Sequence, residues 1–133
     1  MLKKRADAKT FGAGQWVLPG GALELYERFE ICAIRECQEE TGVSIKIQNC
    51  FQIQRGLFKF NGVEQDWTAF VFRADPIGLK MPMVIVNEPD KFEAVGWFRP
   101  SRPPFDIGDF AKESLTTYMS TGLLNIPITR LRF

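Results

Sequence analysis

Gly20-Gly21-Ala22-Leu23-Glu24-Leu25-Tyr26-Glu27, continued by Arg35-Glu36-Cys37-Gln38-Glu39-Glu40-Thr41-Gly42-Val43, decides how the rest of the chain is read. A glycine turn leads into a short loop, then into a helix that carries an arginine and three carboxylates before a glycine stop. On a wheel advancing about 100° per residue from Glu36, Glu39 falls at about 300° and Glu40 at about 40°, so the three carboxylates share one face. Cys32 and Ala33 lie on that side one turn earlier, so the acidic face is not simply a water-facing one. Ile31 and Ile34 fall opposite and also ask for burial, which predicts packing on both flanks. Like charges placed this way repel by a few tenths of a kcal/mol per close pair. A divalent cation removes that repulsion, and oxygen-only ligands suit Mg²⁺, or Mn²⁺, ions that also bind phosphate.

A solvated charged face accounts for an ordinary Glu-Glu pair. It leaves unexplained Gly21 and Glu27 ahead of the helix and Gly42 behind it, in the spacing G-x5-E-x7-R-E-U-x-E-E-x-G-U, where U is apolar. That spacing resembles the signature of the Nudix hydrolases, matched by Gly21, Glu27, Arg35, Glu36, Glu39, Glu40, Gly42 and Val43. Cys37 stands where the family usually has an aliphatic residue, a mild departure because free cysteine packs as a small hydrophobe.

The resemblance covers roughly residues 2–121, and the motif at 21–43 carries nearly all of its specificity. It implies an α/β fold of the α+β kind, an α/β/α sandwich around a mixed β-sheet. It also implies metal ligation by Glu36, Glu39 and Glu40, with the Gly20 carbonyl as a further ligand. Arg35 is then a clamp on the supporting Glu27, and Gly21 lets the backbone approach the substrate closely. Arg5 matches a basic residue that MutT-like relatives place near the substrate phosphates; its other reading is an exposed terminal charge. Glu88-Pro89-Asp90-Lys91, followed by Glu93 and a Trp97-Phe98 strand, is a second and weaker resemblance to the MutT-like branch. Glu93 is the candidate for a late carboxylate near the metal or a water, with Glu88 its competitor.

Composition narrows the chemistry. The chain has 133 residues, 45% of them hydrophobic and 25% charged, which predicts one globular domain over 1–133. A formal net charge of +1 provides no large basic field for duplex nucleic acid. No apolar run approaches a membrane span and no signal peptide precedes the first motif, and three cysteines make no disulfide framework, so a reducing cytoplasm is the expected location. With no histidine at all, triads, Cys-His pairs and histidine-ligated zinc are excluded. General-base help therefore falls to Glu39 or Glu93.

Along the chain, residues 1–5 read as the end of a strand whose beginning is missing, so that the first strand is truncated or a partner chain, in a homodimer, completes the sheet. Gln15–Leu18 is a short strand with Trp16 as core. Val43–Gln48 and Phe51–Phe60 read as two strands, and Asn61-Gly62 as a hairpin turn into a strand over Val63–Arg73. Residues 68–72 are expected to be buried on both faces. A last helix over about 106–121, capped by Asp106 or Asp109 and stopped by Gly122, presents Ile107, Phe110, Ala111, Leu115 and Tyr118 as a core stripe. Residues 123–133 have no predicted place.

The implied reaction is Mg²⁺-dependent attack on a pyrophosphate bond of a nucleoside triphosphate, or a related nucleoside diphosphate derivative, giving the monophosphate and pyrophosphate. A proline that marks many ADP-ribose hydrolases and a tyrosine typical of dinucleoside polyphosphate hydrolases are both missing around Phe58-Lys59-Phe60-Asn61. An ADP-ribose or nucleotide-sugar pyrophosphatase stays open as the alternative. A non-catalytic nucleotide-binding module ranks last, because every motif carboxylate is kept. Phe58, Phe60, Trp67 and Phe98 are the aromatics able to stack on a base.

Overall fold

The computed structural model describes the backbone of residues 1–60, 62–121 and 128–132 and the side chains of residues 1–57 and 62–120. In chain order the elements are β1 (Leu2–Lys4), β2 (Trp16–Val17), α1 (Phe29–Thr41), β3 (Ile45–Phe60), β4 (Val63–Pro76), β5 (Phe92–Val95), α2 (Asp109–Thr121) and β6 (Ile128–Arg132). They form two three-stranded sheets. One is antiparallel in the order β2-β1-β5; the other is mixed, β4-β3-β6, with β3 antiparallel to β4 and parallel to β6.

The mixed sheet has a helix on each face. Phe29 of α1 stacks on Phe70 with ring centroids 3.9 Å apart, whereas Phe110 of α2 meets Trp67 at 5.4 Å. Residues 67 and 70 are an odd number apart on one strand and so point to opposite faces. The result is the α/β/α sandwich that the sequence resemblance implies.

Several elements differ from the sequence reading. Residues 2–4 form a strand as expected, but one paired on both sides, the central strand of the antiparallel sheet, with Leu2 fully buried between Val17 and Val95. The two strands expected over 43–60 are one, β3, whose register shifts between Ile47 and Asn49 and between Cys50 and Gln52. Those bulges bend and twist a continuous strand, so the polar interruption at Gln48-Asn49 marks a kink and not an end. In β4 only Val71 of residues 68–72 is fully buried, and Thr68 is exposed. Ile31 is 52% exposed while Ile34 is half-buried, so α1 buries chiefly the flank carrying Cys32, Glu40 and Thr41 and covers the other only in part. Trp97 and Phe98 lie beyond β5 instead of inside a strand. Within the unplaced tail, Ile128–Arg132 runs parallel to β3 with Ile53 opposite Ile128. Gly122 lies outside the described residues, as do the side chains of Phe58 and Phe60.

Two glycines are required by geometry. Gly42 ends α1 in the left-handed conformation, φ +73°, and its N–H donates to Gln38 O at 2.9 Å. Gly21 faces the side chain of Glu36 so closely that a Cβ there would collide with its carboxyl group, which Arg35 holds in place. No described helix is long and apolar enough to cross a membrane.

Candidate active site

The loop over residues 20–27 is locked to α1 by one arginine. Arg35 Nε and Nη2 donate to the two oxygens of Glu27 at 2.8 and 2.9 Å, the bidentate geometry that guanidinium favours. Its Nη1 donates to Glu36 Oε1 at 2.8 Å and to Glu39 Oε2 at 3.0 Å, and Nη2 also reaches the Ala22 carbonyl at 3.2 Å. The hydrogen bonds from Arg35, then the Glu24 N–H, hold the Glu27 carboxyl at about 2, far below the usual carboxylate range. The same partners, Glu27 first, push the guanidinium further up.

Glu40 is in the opposite condition. It is 4% exposed, and burial, with Glu36 and Glu88 adding to it, pushes its carboxyl up to about 7 against the pull of the Gly20 N–H and of Lys91. Gly20 N–H donates to Glu40 Oε2 at 2.9 Å, so the glycine loop is tied to α1 at both of its ends. The segment after β4 closes on the C-terminal turn of α1 through Ile85 N–H to Thr41 O (3.1 Å) and Asn87 N–H to Glu40 O (3.2 Å). That brings Glu88 in. Its Oε1 accepts from Lys91 Nζ at 2.8 Å, and its Oε2 is buried with no hydrogen-bond partner.

Of the residues singled out in the sequence, Gly20, Gly21, Glu27, Arg35, Glu36 and Glu40 come together, and Glu39 joins them from the solvent side, half-exposed, through Arg35. Arg5 does not: its exposed side chain pairs with Asp7 at 3.2 Å. Glu93 stands exposed on β5 at a bulge in its pairing with β1, and unlike its buried neighbour Phe92 it does not line the cavity that Glu36 and Glu40 share. Two lysines reach the cavity instead. Lys4, half-buried on β1, and Lys91 line the same space of about 1160 Å³ as Gly20, Gly21, Glu36 and Glu40. The sequence does hold a signal for Lys4: it is two residues from buried Leu2 on a strand, and period two puts it on the inward side. Lys91 belongs to the Glu88-Pro89-Asp90-Lys91 stretch.

Among the described residues no three acidic or thiol groups converge as a metal cluster, because Arg35 holds Glu36 and Glu39. The donor set nonetheless fits a hard divalent ion. All its members are oxygens, Glu40 is raised by burial and by the neighbouring Glu36 and Glu88, and Glu88 Oε2 is a buried acceptor without a donor.

A family model described as the NUDIX domain matches residues 1–118. The chain belongs to the Nudix family. Among curated Nudix relatives it is similar to an RNA pyrophosphohydrolase of Erythrobacter litoralis (strain HTCC2594), 26% identical over 125 residues, which are 83% of this chain and 73% of that protein. It is also similar to a MutT-like protein of Streptomyces ambofaciens, 33% identical over 87 residues, which are 65% of this chain and 49% of that one. Among solved structures, the MutT NUDIX hydrolase from Burkholderia pseudomallei superposes with a TM-score of 0.71 at 26% identity, covering 87% of this chain and 84% of its own. A NUDIX hydrolase from Nitrosomonas europaea shares the fold with a TM-score of 0.66 at 23% identity, covering 99% and 70%. This Nudix protein is accordingly a hydrolase of a family that acts on small nucleotide substrates and generally uses divalent metal ions.

Proposed function

We propose that the protein hydrolyses a nucleoside triphosphate, or a related nucleoside diphosphate derivative, to the monophosphate and pyrophosphate with Mg²⁺, or Mn²⁺ in its place. The observation that carries this reading is the shared lining of one cavity: carboxylates Glu36 and Glu40, cations Lys4 and Lys91, and the backbone of Gly20 and Gly21. A polyphosphate needs anionic groups to hold its metal and cationic groups to meet its own charge, and both line the same space.

Glu36, Glu39 and Glu40 would hold the metal, with the Gly20 carbonyl as a further ligand. When bound, the ion neutralises phosphate charge and lowers the pKa of water. Water attacks one phosphorus, the bridging P–O bond breaks, and its electron pair leaves with the departing phosphate group. Glu39 takes the proton of the attacking water. Arg35 positions Glu36 and Glu39 while it clamps Glu27, and Lys4 and Lys91 meet the charge on the leaving oxygen. The late carboxylate is Glu88 in preference to Glu93, because Glu88 lies within electrostatic reach of Glu40.

A second reading has its own support. The Erythrobacter relative is an RNA pyrophosphohydrolase, and a 5′-triphosphate end of RNA presents the same anhydride bond. Release of phosphate and pyrophosphate is to be measured with Mg²⁺ and Mn²⁺ across nucleoside triphosphates, ADP-ribose, nucleotide sugars and a 5′-triphosphorylated oligoribonucleotide. Pyrophosphate released from free nucleoside triphosphates supports the first reading. Turnover confined to the oligonucleotide or to diphosphate sugars replaces it.

A further inference from the structure

The segment from Ile77 to Ile85 leaves β4 and reaches the C-terminal turn of α1 with large apolar side chains turned outward. Leu79 is 73% exposed, Met81 68% and Met83 86%. Over residues 81–87 exposed and half-buried positions alternate, the pattern of an extended segment that shows Met81, Met83 and Ile85 to solvent. Residues 97–100 lie against it. Trp97 Nε1 donates to the Pro82 carbonyl at 3.0 Å, and Met81, Trp97, Phe98, Arg99 and Pro100 line one hollow of about 430 Å³. The Arg102 N–H donates back to the Arg99 carbonyl at 2.9 Å, a turn that keeps both arginines on this side.

Charge on this face has one sign. Residues 77–85 and 97–105 contain Lys80, Arg99 and Arg102 and no Asp or Glu, in a chain whose net charge is only +1. None of the ion pairs among the described residues includes any of the three. The acidic residues bracketing the two stretches are engaged elsewhere. Asp75 accepts from Gln48 Nε2 at 2.8 Å, Glu88 pairs with Lys91, and Asp106 pairs with Lys3. Whatever covers this face must therefore be anionic and must also accept apolar side chains. A second copy of the same face would set cations against cations, and duplex nucleic acid offers nothing to Leu79 and Met83. An anionic lipid surface offers both: charged headgroups for the cations and acyl chains beneath them for the apolar groups. Side chains that stand out singly, as Leu79 and Met83 do, enter a fluid lipid layer without a partner of matching shape.

We propose that this face adsorbs to anionic phospholipid surfaces, with Leu79, Met81 and Met83 in the interface and Lys80, Arg99 and Arg102 at the headgroups. Trp97, Phe98, Arg99 and Pro100 also line the large cavity that takes in Glu36 and Glu40, so adsorption sets the candidate active site beside the lipid. Adsorption of this kind is independent of which anhydride the enzyme cleaves.

The test is co-sedimentation of the full chain with vesicles of phosphatidylcholine alone and of phosphatidylserine and phosphatidylcholine in equal parts, over a lipid titration. Binding is expected to the anionic vesicles and not to the neutral ones, with release at about 1 M salt, where the screening length is about 3 Å. Changing Lys80, Arg99 and Arg102 together to Gln should weaken binding about 100-fold, at roughly fivefold per cation. Leu79→Gln with Met83→Gln should weaken it about 10-fold. All five positions are exposed, so both variants should keep the wild-type circular dichroism and thermal melt. Wild type that stays in the supernatant with anionic vesicles overturns the proposal, as does equal binding to neutral ones. Wild-type affinity in the charge variant or in the Leu79 and Met83 variant overturns it too. Wild type that binds soluble polyglutamate in preference to the anionic vesicles replaces the lipid with an acidic protein partner.

Discussion

The two helices bury polar groups in opposite ways. On α1 the polar groups are charged, and negative charge is in excess: one Arg35 serves Glu27, Glu36 and Glu39, while buried Glu40 and the free oxygen of Glu88 have no full countercharge. On α2 they are neutral and sealed. Gln52 and Gln54 of β3, both fully buried, meet Ser114 and Thr117 through Gln52 Nε2 to Thr117 Oγ1 (2.8 Å), Gln54 Nε2 to Gln52 Oε1 (2.8 Å) and Gln54 Nε2 to Ser114 Oγ (2.6 Å). A neutral network of this kind fixes how a helix sits on a sheet. A charged and under-compensated one is poised for a cation and its anionic ligand. Substitutions on α1 should therefore act first on turnover, and substitutions in the α2 seam first on stability.

The largest expected effect is at Glu39. Half-exposed and, among the described residues, bonded through Arg35, it has little structural work to do, so Glu39→Gln should fold as wild type does. Its turnover should fall by on the order of 10³-fold, the scale of a lost general base. Steady-state rates alongside circular dichroism and a thermal melt make the check. A variant that folds normally and turns over normally removes Glu39 from the mechanism.

Positioning comes next. Gly21→Ala puts a methyl group where the Glu36 carboxyl lies, and Arg35→Lys keeps the charge but loses the fork that spans Glu27 and Glu36. Each should lower kcat by about 10²-fold, the cost of displacing a reacting group by an ångström. The readout is kcat separately from KM. If Arg35→Lys restores most of an Arg35→Ala deficit, the charge matters and the fork geometry does not.

This contrast between the helices was only half visible in the sequence. The α1 half was legible because its spacing is local: a glycine loop, a helix and a glycine stop lie within 23 residues, and Gly42 ends the helix where expected. The clamp of Arg35 on Glu27 was implied by the family resemblance that this local spacing carries. The α2 half was not legible, because Gln52 and Gln54 look like the solvent side of a strand, and only packing against Ser114 and Thr117 makes them interior. The β-bulges hid the continuity of β3 in the same manner, since pairing with β4 lets one strand run through polar Gln48-Asn49. Tertiary context also decided between lysine and arginine at the cavity: Lys4 and Arg5 are adjacent, but only one side of β1 faces in.

Proton linkage separates the two carboxylates of α1 and its loop on a smaller scale. Glu40 at about 7 lies above the ordinary glutamate value of about 4.3, so between those limits the folded chain keeps a proton that the unfolded chain has lost. Its contribution is complete below about pH 4 and is lost as pH rises through 7, by up to about 3 kcal/mol. Glu27, held at about 2, contributes stability above about pH 4 that is lost only as pH falls toward 2, and so it is constant over the upper window. In chelator, urea midpoints should fall from pH 5 to pH 8, and Glu40→Gln should flatten the slope. Divalent metal should restore the midpoint at pH 8, because ligation requires the deprotonated carboxylate. A wild-type slope unchanged by Glu40→Gln assigns the pH dependence to some other group.

The smallest effect, and the one that most directly sets α2 against α1, is Gln54→Leu. The change removes the hydrogen bonds that Gln54 Nε2 donates to Gln52 Oε1 and Ser114 Oγ, although Ser114 retains the Phe110 carbonyl at 3.0 Å as its own acceptor. Gln54 Oε1 has no partner to begin with, so the substitution also removes one unsatisfied buried atom. These act in opposite directions: losing the bonds costs roughly 1–3 kcal/mol, and removing the orphaned oxygen recovers part of it. A net destabilisation of about 1 kcal/mol is expected in urea unfolding at constant m-value, with kcat and KM as in wild type. The double change Gln54→Leu with Gln52→Leu should be milder than the sum of the singles, because it removes both partners of one hydrogen bond together. A seam variant that instead lost turnover with no loss of stability would mean that the neutral network transmits to the cavity through Phe110, whose carbonyl Gln54 also holds at 3.2 Å.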